Sequence, residues 1–398
     1  MSLIHPAFFA LPDTYLFRRV EHETQAYLAA HPEERERLIS LGIGDVPGPL
    51  SPAVVRAMQD AATELGRAES FRGYASEPGY PFLRTAIADH LRGRGADICE
   101  DEVFISDGAK RELGDLLELF TPGVRVLLCD PTYPVYAEVC QLHGAQLRTV
   151  LADESNAYLP LPDDTAAPPP DLIFLCSPAN PTGVAYDRGE LARWVDYANA
   201  HGSVLIFDSA YEAFAADPTI PHSIFEIPGA RHCAIEVGSL SKSAGFTGTR
   251  CGYTLISREL YRDGYALRDL WTRRLSTRSN GVAYIVQRGA QAAYSPEGQA
   301  DMRAHLAVFR ENAAHLADAL TRLGLSFVGG RHAPYLWVHC PEGMNDFTFF
   351  RHLLARAQII ATPGSGFGRG GENYVRLSAL TTPDRVAQAA ERLSSLTL

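Results

Sequence analysis

Four short apolar runs, residues 124–129, 172–176, 204–207 and 233–237, recur through the middle of the chain with helical stretches such as 190–200 between them. A run of four to six residues without polar alternation suits a strand buried on both faces. Strands of that kind, separated by helices, pack as a mostly parallel sheet covered on each side, which confines the chain to an α/β architecture. Each run ends in a polar cluster: Asp130-Pro-Thr-Tyr133-Pro, Ser177-Pro-Ala-Asn180-Pro-Thr-Gly183, Asp208-Ser-Ala-Tyr211-Glu, and the stretch from Ser239 to Arg250. Ligands of open α/β sheets sit at the carboxyl ends of the strands, so these clusters are expected to converge on one site.

The flanking regions add elements of other kinds. Residues 13–39 mix aromatic and charged side chains, and the spacing of Leu16 and Val20 predicts an arm that leads into a helix. Ser51 and Pro52 read as the N-cap and first turn of a helix that carries Val54, Val55, Met58, Ala62 and Leu65 inward and stops at Gly66. Residues 71–80, Phe-Arg-Gly-Tyr-Ala-Ser-Glu-Pro-Gly-Tyr, follow neither helical nor strand periodicity, and their aromatic and charged content predicts a functional loop. After a helix over 81–91, a strand at 103–106 meets Asp107-Gly-Ala-Lys110 and a helix with Leu113, Leu116, Leu117 and Phe120 inward. That order of strand, glycine turn and helix start aims unpaired N–H groups at an anion. Proline content marks 153–171 as a surface loop.

From residue 288 the pattern changes to a long helix over 299–323, strands at 325–328, 335–338 and 374–377, and helices at 346–357 and 384–393. The expected organisation is an N-terminal arm and first part of a small domain (1–50), a large ligand-binding domain (51–287) and a C-terminal α+β small domain (288–398).

At 398 residues and 46% hydrophobic content the chain can bury two cores. A formal net charge of −11 without any Lys/Arg run argues against nucleic acid or an anionic membrane as partner, and for small-molecule substrates. Cys99, Cys129, Cys140, Cys176, Cys233, Cys251 and Cys340 lack disulfide or metal-ligand spacing, so neither a disulfide nor a metal site is expected. No basic-then-apolar leader and no long apolar segment occurs, which predicts a cytoplasmic protein.

Within Ser239-Leu-Ser-Lys242-Ser-Ala-Gly-Phe-Thr-Gly-Thr-Arg250, one lysine stands among hydroxyls, glycines and an arginine. A lysine can condense with a carbonyl, and Ser239, Ser241 and Arg250 suit a dense anion beside it. Pyridoxal phosphate carries both groups. Its ring nitrogen needs a carboxylate to stay protonated; Asp208 at a strand end suits that role, or caps a following helix. Asn180 and Tyr211 can donate to the ring's phenolate oxygen, while Tyr133 either stacks on the ring face or is a core aromatic. Arg376 lies in the apolar strand Tyr-Val-Arg-Leu, where a buried charge needs either a substrate carboxylate or a salt-bridging side chain.

From Tyr15 to Arg376 the sequence resembles the fold-type-I pyridoxal-phosphate-dependent aminotransferases of class I/II, most closely the LL-diaminopimelate aminotransferase family. The blocks LGIGDVPGPL, FRGYASEPGYPFLR, FISDGAK, DPTYPVY, NPTG, DSAYEAF, PHSIFEIPGAR, SLSKSAGFTGTRCGY, STRSNGVAYIVQRGA, APYLWV and TPGSGFG stand in that family's order. The resemblance implies a seven-stranded, mostly parallel sheet in the large domain and a smaller α+β domain. It implies Lys242, Asp208 and Tyr133 as the catalytic set, with Lys242 holding the cofactor covalently, Asp208 on the ring nitrogen, Asn180 and Tyr211 on the phenolate oxygen and Tyr133 on the ring. Phosphate contacts would come from Ala109, Lys110, Ser239, Ser241 and Arg250, with Tyr74 reaching in from a neighbouring subunit. Substrate contacts would be Tyr15, Gly42, Lys110, Asn180, Asn280 and Arg376, with Glu77 facing the distal end of the partner's substrate. These roles imply a homodimer with shared sites.

The sequence departs from the family pattern in a short link between Gly144 and Pro160, in Ala179 before Asn180, in Gly238 before the lysine stretch and in Pro78 after Glu77. The implied reaction is a two-stroke transamination in which an amino acid loads the cofactor and a 2-oxo acid unloads it. LL-diaminopimelate with 2-oxoglutarate is the expected pair, in either direction; another long amino acid with a polar or cationic distal group is the alternative. A pyridoxal-phosphate lyase or oxidase would share the cofactor residues. A cofactor-sensing regulator would need a DNA-binding segment, which the short acidic region before Gly42 does not supply.

Overall fold

The computed structural model describes residues 3–9, 11, 15–163 and 168–398. Its central sheet is built from β1 (Val103–Ser106), β2 (Arg125–Asp130), β3 (Gln146–Leu151), β4 (Leu172–Cys176), β5 (Val204–Asp208), β6 (Ala234–Ser239) and β7 (Gly252–Ile256). In space the strands run β1-β7-β6-β5-β4-β2-β3. Neighbours are parallel except around β7, which is antiparallel to both β1 and β6.

The apolar runs divide their side chains between two cores. Along β4, Ile173 and Leu175 pack on one face with Leu205, Phe207 and Trp194, while Leu172 and Phe174 pack on the other with Ile206, Val237 and Trp271. Successive strand residues point to opposite faces, so a strand can be apolar throughout only where both faces are covered. Helices Pro81–Arg92 and Arg188–His201 cover the first face; Pro134–His143 and Leu267–Arg278 cover the second.

Two sheet strands lie outside the apolar-run pattern. β3 is the sheet edge, and its exposed Gln146, Thr149 and Leu151 give it the sequence of a half-solvated strand. β7 follows the lysine stretch directly, so no turn marks its start beyond Gly252.

The helix after Ser51 spans Pro52–Leu65, with the Ser51 hydroxyl accepting from the Val54 amide at 3.3 Å. Its inward face is narrower than expected: Ala53, Val54 and Ala61 are buried, whereas Val55 and Ala62 are exposed. One residue is about 100° round a helix, so neighbours of Val54 and Ala61 turn away from the packed side. The expected surface loop over 153–171 is likewise partly inside. Tyr158 is buried and its hydroxyl donates to that of Tyr374 at 2.9 Å, and the Pro160 carbonyl accepts from Tyr186 Oη at 2.8 Å and Trp194 Nε1 at 3.2 Å. Residues 164–167 of that segment lie outside the described residues.

A third core surrounds a four-stranded sheet of β8 (Phe327–Gly329), β9 (Tyr335–His339), β10 (Thr362–Pro363) and β11 (Tyr374–Ser378), ordered β8-β9-β11-β10. Helices Asp346–Ala357 and Pro383–Ser394 pack there, and so do Leu16, Val20, Ile39 and Leu41 from the beginning of the chain. Helix Pro296–Leu323 joins the cores: Leu306 and Phe309 belong to the large-sheet core, Leu316 and Leu320 to the third.

Candidate active site

The strand-end clusters do converge. A cavity of about 360 Å³ at the carboxyl ends of β2, β4, β5 and β6 is walled by Tyr133, Asn180, Asp208, Tyr211, Ser239, Ser241 and Lys242. Ala109, Lys110, Arg250, Tyr15 and Arg376 complete it from other elements.

At the floor, Asp208 ends the buried strand β5. Its Oδ2 accepts from Tyr136 Oη at 2.6 Å and its Oδ1 from the Ala210 amide at 3.0 Å. The second bond closes a local turn and caps no helix: the helical turn that follows, Glu212–Phe214, has Tyr211 at its N-cap, so the helix-capping alternative is not realised. Burial pushes the carboxyl up, against the pull of those two donors, and among the described residues no cation pairs with it. At the opposite end, Arg376 is 1% exposed. Its Nη1 donates to Asn180 Oδ1 at 2.7 Å and its Nη2 to the Gly42 carbonyl at 2.6 Å, both neutral acceptors. Its Nε is buried without a partner among the described residues. Tyr335 and Phe367 rings lie 4.3 and 4.9 Å from the guanidinium carbon, and no described carboxylate pairs with it, so the salt-bridge alternative is not realised.

Lys242 stands between them on the single helical turn Leu240–Ser243, whose N-cap Ser239 hydroxyl accepts from the Ser241 amide at 3.1 Å. Its Nζ donates to the Gly44 carbonyl. Burial lowers this amine to about 8, Asp45 pulling it back up and Arg376 and Arg250 pushing with the burial.

One corner of the cavity gathers donors. Arg250, at φ 63°, donates from Nη1 to Ser241 Oγ at 3.2 Å. Gly108 begins the helix Ala109–Asp115 at φ 122°, and a Cβ there would lie 2.2 Å from Arg250 Nη2, so only glycine lets the guanidinium lie against the helix start. Among the described residues no side chain caps that helix, which leaves the first-turn amides available. Hydroxyls, amides and a guanidinium together suit a dense anion.

Tyr133 lies edge-on to Tyr136 with ring centres 5.5 Å apart, and burial, with Tyr15 close by, pushes its hydroxyl up. Tyr211 and Tyr335 hydroxyls are 2.6 Å apart, and Lys110 Nζ is 4.8 Å above the Tyr15 ring. Gly42 takes part through its carbonyl rather than by lining the cavity.

Tyr74, Glu77 and Asn280 do not line the cavity in this chain: Tyr74 is 88% exposed, Asn280 is exposed and Glu77 half-buried. Their two loops pack together, since a Cβ on Gly281 would fall 2.6 Å from the Ser76 carbonyl oxygen. The 71–80 loop is pinned by the Tyr80 amide on Gln287 Oε1 at 2.8 Å and the Ile105 amide on the Pro78 carbonyl at 2.9 Å. Residues with no expected role also line the cavity, among them Phe17, Gly44, Asp45, Tyr136 and Tyr335. Of these only Tyr136, one helical turn beyond Tyr133, had a positional signal in the sequence.

The family model for class I and II aminotransferases matches residues 36–393. An LL-diaminopimelate aminotransferase of Lachnospira eligens is 43% identical over 406 aligned residues, covering 100% of each chain. Another from Agathobacter rectalis is 43% identical over 410, again with 100% of each covered. Among solved structures, that of the L,L-diaminopimelate aminotransferase from Chlamydomonas reinhardtii is 36% identical, covers 99% of this chain and 98% of its own, and superposes with a TM-score of 0.92. The chain belongs to the class I and II aminotransferases. It is an enzyme that transfers amino groups, and it depends on pyridoxal phosphate. The residues present fit that cofactor: an uncompensated buried carboxylate suits a protonated ring nitrogen, the donor corner suits a phosphate, and a partly neutral buried amine suits an aldehyde.

Proposed function

We propose that the protein transfers the amino group between LL-diaminopimelate and 2-oxoglutarate, in the setting of amino-acid biosynthesis. The observation that carries this reading is the pair of buried charges lacking counter-charges across one cavity, Asp208 and Arg376, with the Lys242 amine between them. Each would destabilise the fold by several kcal/mol if left unmatched. A cofactor ring and an amino-acid carboxylate bring the charges they need. The full-length relatives named for LL-diaminopimelate point to that substrate.

Pyridoxal phosphate, when bound, supplies an electron-poor ring that stabilises negative charge on the substrate's α-carbon. In this reading Asp208 keeps the ring nitrogen protonated, Tyr211 and the Asn180 amide donate to the ring oxygen, and Tyr133 lies on the ring. Ser239, Ser241, Arg250, Lys110 and the Ala109 amide hold the phosphate. Arg376 orients the substrate carboxylate, Asn180 sharing that contact, with Gly42, Tyr15 and Lys110 beside it. Lys242 Nζ, when neutral, takes the proton from the α-carbon. The exposed Tyr74 and Asn280 and the half-buried Glu77, on two loops packed together, serve the site of a second copy in a homodimer. Seven unpaired thiols suit a reducing compartment, and the cytoplasm is the proposed location.

The test is a half-reaction: holoenzyme is mixed with one donor at a time, LL-diaminopimelate, lysine, ornithine, arginine or glutamate, and the cofactor spectrum is followed. LL-diaminopimelate is expected to convert the cofactor to its amino form, and Lys242→Ala to abolish steady-state turnover. No conversion by LL-diaminopimelate with rapid conversion by another donor would reject the substrate and keep the class. Undiminished turnover by Lys242→Ala would reject the assignment of the lysine.

A further inference from the structure

The fold settles the Asp208 carboxylate from two sides. Asp208 ends β5, paired with Cys176 of β4, and the Ala210 amide of the turn that follows donates to its Oδ1 at 3.0 Å. The other donor comes from a separate element: Tyr136 Oη, in the first turn of helix Pro134–His143, reaches Oδ2 at 2.6 Å. Packing holds the Tyr136 ring at that contact. It is buried in the large-sheet core, edge-on to Tyr133 and tilted against Phe174, with ring centres 5.5 Å away in each case. A phenol has a single proton to give, and Asp208 takes it. The neighbouring Cys176 thiol does not compete, since its Sγ donates to the Pro178 carbonyl at 3.3 Å.

We propose that Tyr136 is a positioning residue of the ring-nitrogen site: its hydroxyl fixes the Asp208 carboxylate and keeps it ionised, so that the proton stays on the cofactor's ring nitrogen. This rests on the reading above, in which Asp208 faces that nitrogen. A buried carboxylate without a cation is drawn toward its protonated form, and a donor that bonds the ionised oxygen works against the burial. Among the described residues, the other titratable groups around Asp208 are Tyr133 from the same helix, Cys176 from β4 and Tyr335 from β9. Burial pushes each of them up, so all three stay neutral and none supplies a compensating charge. The task falls to the Ala210 amide and to Tyr136, and of these only Tyr136 acts through a side chain that a substitution can remove. One short stretch thereby carries two parts of the grip: Tyr133 for the ring face and, three residues on, Tyr136 for the carboxylate that meets the ring nitrogen.

Tyr136→Phe removes the donor and keeps the packed ring. Variant and parent are loaded with pyridoxal phosphate isotopically labelled at its ring nitrogen, and the nitrogen resonance is read by NMR, beside cofactor dissociation and the kcat and KM for the amino donor. The parent resonance is expected at the protonated position and that of Tyr136→Phe displaced toward the neutral one. Cofactor dissociation should strengthen and kcat fall, each about tenfold, with KM little changed, the scale expected for one hydrogen bond to a buried charge. A tyrosine that merely fills space would leave the resonance unmoved, because phenylalanine fills the same space. If Tyr136→Phe does not fold, Tyr136→Met, an adaptable side chain without a donor, carries the same expectation. An unmoved resonance in whichever variant folds overturns the proposal. Asp208→Asn, measured in the same way, tests the underlying reading separately: a resonance that moves there but not in the Tyr136 variant removes the role of Tyr136 alone, and one that moves in neither rejects the placing of Asp208 as well.

Discussion

Gly238 carries a constraint that its position between Val237 and the Ser239 turn does not advertise. It pairs with Tyr253 across β6 and β7, and a Cβ on it would lie 2.1 Å from Tyr253 Cζ and 2.3 Å from Cε2. The buried tyrosine ring occupies the volume that a larger residue at 238 would need. Gly238→Ala should therefore destabilise the fold by about 1–3 kcal/mol. Urea unfolding measures it, and pairing the change with Tyr253→Ala should leave the double variant less impaired than the sum of the singles. At this scale the sequence was most legible where a charge interrupts an apolar run: Asp208 and Arg376 stand out because a buried charge needs a counterpart. Asp45 and Tyr335 were illegible. Nothing in their neighbours along the chain reveals that they line one cavity with Lys242 and Tyr211 from distant segments.

The helix Ala109–Asp115 illustrates a cost embedded in an element that otherwise serves the site. Glu112 is buried on it, accepting from Thr254 Oγ1 of β7 at 2.8 Å, and burial pushes its carboxyl from 4.5 to about 7. Folded protein then binds more protons than unfolded protein between those values, so the site's contribution to stability is full below about pH 4.5 and is lost as pH rises through 7. Glu112→Gln should flatten this slope, raising the urea midpoint relative to the parent more at about pH 8 than at about pH 5. Helices with strong boundary signals were readable nearly to the residue: Asp346–Ala357 coincides with the expected range, and Pro383–Ser394 differs by one residue at each end. In the large sheet, strands were readable where both faces are covered. β3 escaped because an edge strand lets polar residues into its outer positions, and β7 because the lysine stretch runs into it without a break.

Across the whole molecule, the exposed patch bearing Tyr74 and Asn280 also includes Phe71, which is 66% exposed. In the proposed homodimer a subunit lacking Lys242 and a subunit lacking Tyr74 would complement each other. The hybrid has one site with both defects and one with neither. Mixing inactive Lys242→Ala with Tyr74→Ala, after a step that lets subunits exchange, should restore turnover well above either parent alone. No gain despite exchange verified by mass spectrometry would place Tyr74 outside the neighbouring site.

Helix Pro296–Leu323 ties the cores together, and residues 41–46 pass from the small-sheet core at Leu41 to the large-sheet core at Val46, yet the proposed roles draw most of the cofactor grip and much of the substrate grip from different territories. The groups assigned to the cofactor belong mainly to 109–250, on or beside the large sheet, whereas Tyr15, Gly42 and Arg376 come from the beginning and end of the chain. Apart from Lys110 and Asn180, which the proposed roles give to both, inheritance of chemistry and inheritance of appetite are thereby separated. A descendant of this enzyme can be retrained for a different amino acid by rewriting its outer segments, with the machinery that makes any amino acid reactive left untouched.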